Sequence, residues 1–137
     1  TFAGWRGWAA AGSPLLWMVA IAVLMIVSVT IAIMLVGLTL NLRRALSLTG
    51  VYVATGLAFS GFSYPRAAMG SVAQWWSGLL PYTHYLPVQQ GQWLGGASAS
   101  AWAEGMVPLL LFIVVPLLIG LPLLGRAVAQ PARWGAR

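Results

Sequence analysis

The sequence has no cysteine and no lysine, and it holds only one histidine, His84, and one acidic residue, Glu104. The absence of cysteine excludes disulfides, a thiol nucleophile and Cys-ligated metal sites. Metal and haem sites in helical bundles need two or more His or acidic ligands from facing helices, which this chain does not supply. Gly95 and Gly96 are followed by small residues without a lysine, so no phosphate-binding loop is present. We therefore expect no cofactor to be bound by this chain.

Charge is also scarce. Only 6% of the 137 residues are charged and 61% are hydrophobic, whereas soluble domains average about 25% charged and about 45–50% apolar residues. These residues cannot supply the polar shell of a soluble fold, and we predict an all-α membrane protein, a single transmembrane domain over residues 1–137. The chain begins with Thr1 and shows no signal-peptide pattern, so we interpret it as a piece of a longer protein.

Three apolar stretches are candidate membrane spans: residues 15–40, 45–62 and 106–125. The first would form a helix of about 39 Å, a full span with room for tilt. The third carries no charge, and Pro116 in its middle predicts a kink. The count of three crossings places the two ends of the chain on opposite sides of the membrane.

The second stretch has many small residues and few bulky aliphatic ones. Those that we predict to form helix-packing contacts are Gly50, Ala54, Gly56, Ala58 and Ser60. Small residues spaced four apart let helices approach closely. We therefore expect this helix to lie inside a bundle, with little of its surface in contact with lipid.

A structured segment is also predicted between the second and third stretches. Apolar residues recur there at helical spacing: Met69, Val72, Trp75, Trp76, Leu79 and Leu80. This pattern predicts a short amphipathic helix over 66–80, stopped by Pro81, and a second short helix from Thr83 as N-cap to about Leu94. Both are too short to span a bilayer and too apolar for water. We expect a helical hairpin over about 66–94 that is either interfacial or re-entrant.

The arginines indicate the orientation. The loop after the first span and the segment after the third hold five of them: Arg43, Arg44, Arg126, Arg133 and Arg137. The opposite side holds Arg6 and Arg66, together with Glu104. By the positive-inside rule the C-terminus is cytoplasmic and the hairpin is outside. Most tryptophans map to the outer half, namely Trp5, Trp8, Trp17, Trp75, Trp76, Trp93 and Trp102, and Trp134 maps to the inner half. We therefore read the basic charge as topology and expect no nucleic-acid partner.

Intramembrane serine hydrolysis is one alternative function, with Ser60 as nucleophile and His84 as base. Ala58 stands where a nucleophile motif of this kind would have glycine, and no third orienting group is available. The plainer interpretation of His84 is an interfacial polar residue beside Tyr82 and Tyr85. Glu104 is interpreted as a solvated residue near the start of the third span, stabilised by the helix dipole.

One part of the sequence resembles a known family. Its runs are Gly61-Phe62-Ser63-Tyr64-Pro65-Arg66-Ala67-Ala68-Met69, then Trp75-Trp76, then Leu79-Leu80-Pro81-Tyr82-Thr83-His84-Tyr85-Leu86 and Gly91, preceded by Leu35-Val36-Gly37-Leu38-Thr39-Leu40-Asn41-Leu42-Arg43-Arg44-Ala45. In order and spacing these runs resemble the C-terminal half of ABC type-2 transporter permeases. The resemblance covers roughly residues 15–126. Departures include Tyr64 for the usual Phe, Gly70 for a Pro and Gln90 for an Arg.

The resemblance implies a permease subunit of an ATP-binding cassette exporter in a bacterial inner membrane. It implies an ATPase partner that carries ATP and Mg, a second permease copy or paralogue in a dimer, and membrane lipids. Asn41, Arg43 and Arg44 are the candidate cytoplasmic contact with the ATPase. The candidate outer gate is Pro65, Met69, Trp75, Trp76, Pro81, Tyr82, Thr83, His84, Tyr85 and Gly91. A non-transporting membrane anchor or assembly subunit is the other alternative.

Overall fold

A computed structural model describes residues 12–129. This part of the chain consists of five α-helices and one short 3₁₀ segment, joined by turns and loops. Its helices are α1 (Pro14–Thr39), α2 (Leu42–Phe59), α3 (Ser71–Gly78), α4 (Pro81–Trp93) and α5 (Ala99–Ala129), with the 3₁₀ segment at Arg66–Ala68. The all-α prediction is confirmed for these residues. The predictions made on Trp5, Arg6, Trp8, Arg133, Trp134 and Arg137 lie outside the described residues.

Two of the helices, α1 and α5, are long and apolar enough to cross a membrane, as judged by length and composition. α1 has 26 residues and α5 has 31, which correspond to about 39 Å and about 47 Å, compared with about 30 Å for a hydrocarbon core. α2 has 18 residues and is not among these two candidates. Arg43 and Arg44 in its first turn lower its apolar character.

Two glycines bring α1 and α5 into close contact. A Cβ atom on Gly120 of α5 would lie 2.9 Å from the Met34 Cα of α1, and a Cβ on Gly37 of α1 would lie 3.1 Å from the Leu123 Cβ. Both glycines are buried. Larger residues at these positions would push the helix axes apart, so α1 and α5 pack as a close pair through small residues.

A polar contact also joins α1 and α5, and it depends on a proline. Pro116 has no N–H, so the Phe112 carbonyl, four residues earlier in α5, lacks its usual helical donor. The Thr30 hydroxyl of α1 lies 3.2 Å from this carbonyl oxygen and donates to it, while also lying 2.8 Å from the Val27 carbonyl oxygen. α5 continues through Pro116 to Ala129, and the predicted kink stays a prediction.

α4 packs into the groove between α1 and α5. The buried core cluster is drawn from all three helices: Ala20, Tyr85, Val88, Met106 and Leu109. A Cβ on Gly105 of α5 would lie 2.5 Å from the Val88 Cγ2, so a larger residue there would displace the Val88 side chain where α4 and α5 meet. α1, α4 and α5 therefore form one packed unit.

Gln92, at the end of α4, ties this unit together by hydrogen bonds. Its side chain is 1% exposed. The Gln92 Oε1 accepts from the Ser13 N–H at 3.0 Å, and its Nε2 donates to the Ala97 carbonyl at 3.0 Å. The Gln92 carbonyl accepts from the Gly12 N–H at 2.8 Å. These bonds hold the start of α1 and the loop before α5 against the end of α4. A buried amide that bonds through both ends avoids the cost of unpaired polar burial.

Several helix boundaries differ from the sequence-based predictions. α5 starts seven residues before the expected 106, because residues 99–105 continue the helical ladder. The first short helix is limited to Ser71–Gly78, since Met69 is extended (φ −78°, ψ 146°) and separates it from the 3₁₀ segment. Thr83 was predicted as an N-cap, and this was wrong: Leu80 is the N-cap of α4 and Pro81 its first residue, a position that suits proline.

The close pair of α1 and α5 gives a stability prediction. Gly120→Ala should lower the free energy of unfolding by about 1–3 kcal/mol, because the new methyl group meets the α1 backbone. Gly125→Ala is the matched control, since a Cβ there meets nothing within 4 Å. It should cause no loss, or a gain of up to about 1 kcal/mol from helix propensity. Unfolding in detergent by SDS titration measures both, and equal losses would contradict the close packing.

Candidate functional site

The turn between α3 and α4, residues 78–81, lies beside the middle of the longer helices. The Tyr52 hydroxyl of α2 lies 3.2 Å from the Leu79 carbonyl oxygen, and the His84 ring lies 5.7 Å from the Phe112 ring of α5. Phe112 is about 20 Å along α5 from its first residue. The α3–α4 turn is thus placed well inside the helical part of the molecule, away from the end where α1 and α5 begin.

Side chains satisfy the carbonyl groups of this turn. The His84 Nε2 lies 2.9 Å from the Gly78 carbonyl oxygen, and because a carbonyl only accepts, this nitrogen is the donor. Tyr52 donates to the next carbonyl, that of Leu79. Two consecutive carbonyls at the end of α3, which lack helical donors, are therefore capped by side chains. This pairing removes the cost of leaving them unbonded away from water.

A buried pair of hydroxyls links the two sides of the turn. The Ser77 Oγ of α3 and the Thr83 Oγ1 of α4 are 3.2 Å apart and form a hydrogen bond. Both residues are almost fully buried. The Leu80 N–H donates to the Ser77 carbonyl and the Thr83 N–H to the Leu80 carbonyl. The turn is consequently bonded internally as well as to α2.

α2 is held loosely by comparison with the other long helices. Only Ala45 and Gly56 are buried along it, and a Cβ on Gly50 or Gly56 would meet nothing within 4 Å. Of the residues predicted to pack, Gly56 and Ser60 are buried, whereas Gly50, Ala54 and Ala58 are exposed. The predicted packing of the exposed three therefore has no partner among the described residues, and it stays a prediction.

Two open cavities flank Tyr52. The Ser28 cavity, of about 310 Å³, lies between α1, α2 and the start of α4, and includes Ser28, Thr49 and Pro81. The His84 cavity, of about 550 Å³, lies between α1, α5 and the α3–α4 turn. Its apolar walls include Ile31, Met34, Leu35, Leu111, Phe112 and Val115. Tyr52 and Ile31 border both cavities, so the side chain that bonds to the turn also separates the two spaces.

Aromatic residues collect where α1 and α5 begin. The Trp17 and Trp93 rings are 5.3 Å apart, and the Trp102 Nε1 donates to the Leu16 carbonyl at 3.0 Å. Tyr82 and Tyr85 form a second ring pair at 5.8 Å. Burial, followed by the nearby Tyr82 phenol, raises the pKa of Tyr85, so this phenol stays neutral in its packed position. Trp17, Trp93 and Trp102 were predicted to lie on the same side of the membrane, and their contacts place all three at one end of the bundle.

The remaining residues of the predicted outer gate are spread along the same region. Pro65 precedes the 3₁₀ segment and Met69 follows it. Trp75 and Trp76 lie on α3 and are 67% and 40% exposed. A Cβ on Gly91 would lie 3.2 Å from the Ala97 Cβ, so a larger residue there would press on the loop before α5. Pro81, Thr83 and His84 lie in the first turn of α4, beside the α3–α4 turn, whereas Gly91 lies near the other end of α4.

Ser60 and His84 are engaged separately. The Ser60 hydroxyl donates to the Leu57 carbonyl at 2.8 Å and accepts from the Phe62 N–H at 3.3 Å. The His84 Nε2 bonds to Gly78. Within residues 12–129 no hydrogen bond joins the serine and the histidine. Ser60 acts here as a cap at the end of α2, which is an ordinary structural role for serine.

Asn41, Arg43 and Arg44 form the start of α2. The Asn41 Oδ1 accepts from the Arg43 N–H at 3.1 Å and from the Arg44 N–H at 3.3 Å, as a helix N-cap does. Both arginines are exposed. Cations at a helix N-terminus are unfavourable because the dipole is positive there. Helix stability therefore does not account for this pair of charges.

No family model, curated protein or solved structure matches this chain. The resemblance to ABC type-2 permeases is accordingly an argument from the sequence runs alone. Among the described residues, groups of three or more His, Cys, Asp or Glu side chains able to hold a metal ion are also absent.

Sequence reasoning missed three structural contributors: Tyr52, Gln92 and the Gly37–Gly120 contact. Gln92 had no local signal, since it is one of several uncharged polar residues in α4. Tyr52 had a weak one, because it is the lone tyrosine of α2. The sequence does not identify their partners: the Leu79 carbonyl is 27 residues from Tyr52, and the Ser13 N–H is 79 residues from Gln92.

The bond from Tyr52 to the turn gives a second prediction. Tyr52→Phe should lower the free energy of unfolding by about 1 kcal/mol, because it leaves the Leu79 carbonyl without its donor. Tyr64→Phe is the matched control, since Tyr64 is 54% exposed and lies in the loop after α2. Amide hydrogen exchange over residues 77–84 should quicken in Tyr52→Phe alone. Unchanged exchange in that variant would show that the bond does not hold the turn.

Proposed function

We propose that the chain is the membrane-spanning C-terminal part of a permease of an ATP-binding cassette exporter. In this proposal α1, α2 and α5 cross the membrane, and α3 and α4 form a re-entrant hairpin on the outer side. The C-terminus is cytoplasmic, in a bacterial inner membrane. Support comes from the apolar character of α1 and α5 and from the resemblance of residues 15–126 to type-2 permeases.

The observation that carries the proposal is the capped α3–α4 turn. A turn that enters a hydrocarbon region must satisfy its backbone carbonyls within the protein. The Gly78 and Leu79 carbonyls are satisfied in this way, by His84 and Tyr52. Because both carbonyls have donors within the protein, the turn meets the condition for entering a low-dielectric region. A short helical pair that dips beside the spans and is bonded to one of them suits an outer gate.

The loose attachment of α2 suits a moving part. The unit of α1, α4 and α5 is joined by a continuous core and by Gln92, whereas α2 is joined to the turn through Tyr52. ATP, with Mg, would bind to the partner ATPase and change the position of α2 from its cytoplasmic end. The exposed Gly50, Ala54 and Ala58 would face a second permease copy or paralogue, or the upstream spans.

Arg43 and Arg44 give a test of the ATPase partner. With the full-length protein, Arg43→Glu/Arg44→Glu should weaken capture of the ATPase subunit by roughly 2- to 10-fold, because two surface ion pairs are lost. Arg126→Glu is the matched control, since α5 ends on the same side as α2 begins. Co-purification and ATP hydrolysis in vesicles are the measurements.

Failure of the unmodified protein to associate with an ATPase subunit would overturn the exporter proposal. Association without coupled ATP hydrolysis would favour the alternative of a non-transporting assembly subunit.

The topology has an independent test. Ser71→Cys, at the start of α3, and Val128→Cys, near the end of α5, introduce thiols into a chain that has none. An impermeant maleimide should label the first from outside and the second only from the cytoplasmic side. Val128 is 73% exposed and Ser71 is exposed as well, so neither position is covered by the described part of the protein. Labelling of both thiols from one side would exclude three crossings.

A further inference from the structure

The His84 cavity has the form of a binding site for a chain-like apolar molecule. Its volume is about 550 Å³, within the range of about 300–1,000 Å³ typical of small-molecule sites. Along α5 it extends from Pro108 to Pro116, a distance of about 12 Å. Its two longest walls are helices α1 and α5. These helices pack closely through Gly37 and Gly120, toward their C-terminal ends. The space therefore runs along α5, and its two longest walls are helices that pack against each other.

The charge of the lining restricts the class of ligand. Among the described residues, neither an arginine nor Glu104 lines the cavity. A charged head group placed there would find no counter-ion in an apolar surrounding, at a high free-energy cost. The hydroxyl of Tyr52 is committed to the Leu79 carbonyl. A neutral ligand fits this lining, and a carboxylate or an ammonium group does not.

His84 lines the cavity and offers one acceptor. Its Nε2–H donates to the Gly78 carbonyl. In a neutral imidazole with its hydrogen on Nε2, Nδ1 has a lone pair and no hydrogen, so it accepts a hydrogen bond. A ligand hydroxyl donates such a bond, whereas an alkane has nothing to donate. The geometry points to a single-chain alkyl alcohol or similar neutral hydroxyl lipid, with its chain between α1 and α5 and its hydroxyl on the His84 Nδ1.

This inference rests on the membrane placement proposed above but requires neither transport nor an ATPase. It can be tested with the full-length protein in nanodiscs and a ten-carbon alcohol that carries a diazirine in its chain. After irradiation, mass spectrometry should find the adducts on the cavity-lining residues of α5, chiefly Leu111, Phe112 and Val115. Unlabelled decanol should compete about 3- to 10-fold better than decane at equal mole fraction in the bilayer, as one hydrogen bond predicts. Decanoate should compete no better than decane.

Two variants separate the cavity from the lipid-facing surface. Leu111→Trp places an indole in the cavity and should reduce the adducts at least about 5-fold. Leu110→Trp is the matched control, because Leu110 is 50% exposed, adjoins Leu111 and does not line the cavity; it should change nothing. His84→Gln keeps a donor for the Gly78 carbonyl but moves the acceptor. It should bring decanol and decane to within about 2-fold of each other while alkyl labelling remains.

Three results would overturn the inference. Adducts spread evenly over exposed α5 residues would indicate ordinary lipid contact. Absence of adducts on the lining would indicate that another part of the protein fills the cavity. An unchanged preference for decanol in His84→Gln would exclude the Nδ1 contact. None of these depends on the ATPase and thiol-labelling tests, so the failure of the exporter proposal and the failure of this binding site are distinguishable.

Discussion

The unpaired carbonyls at the end of α3 impose the constraint on which the candidate site depends. A helix leaves its last carbonyls without internal donors, and here the chain turns back after only eight helical residues. Tyr52 reaches one of these carbonyls from α2, and His84 reaches the neighbouring one from the first turns of α4. Tyr52 also borders both cavities, and His84 borders the His84 cavity. The need to satisfy the backbone thus also determines the shape and polarity of the site.

The bundle divides into a firmly packed part and a loosely packed one. Gly37 and Gly120 allow α1 and α5 to approach, and Thr30 uses the carbonyl that Pro116 leaves unpaired. Gln92 fastens the opposite end by bonds to the Ser13 N–H and the Ala97 carbonyl. α2 lacks contacts of this kind. A helix that is attached mainly at its loops and through one tyrosine needs less free energy to move than the packed unit does.

The structure gives His84 a contact that was not expected from the sequence. Within residues 12–129 no hydrogen bond joins it to Ser60, and its interpretation as an interfacial residue beside Tyr82 and Tyr85 stays a prediction. In the structure its Nε2 faces a backbone carbonyl and its ring lies near Phe112. This placement makes the histidine a cap of the α3–α4 turn, bonded to a carbonyl six residues away in the chain.

The sequence by itself determined the all-α class and the two long apolar helices, because the scarcity of charge and the length of the apolar runs are read directly from neighbouring residues. The tertiary structure was needed for several helix ends: Asn41 caps α2, and Pro81 begins α4 where the sequence had suggested Thr83 as the N-cap. The tertiary structure decided which small residues pack and which polar groups pair. The spacing of small residues predicts helix packing at Gly50, Ala54 and Ala58 as strongly as at Gly37 and Gly120. Within the described residues, Gly37 and Gly120 meet a neighbouring helix, whereas Gly50, Ala54 and Ala58 are exposed. Helical spacing reports which residues share a face, and it carries no information on what that face contacts.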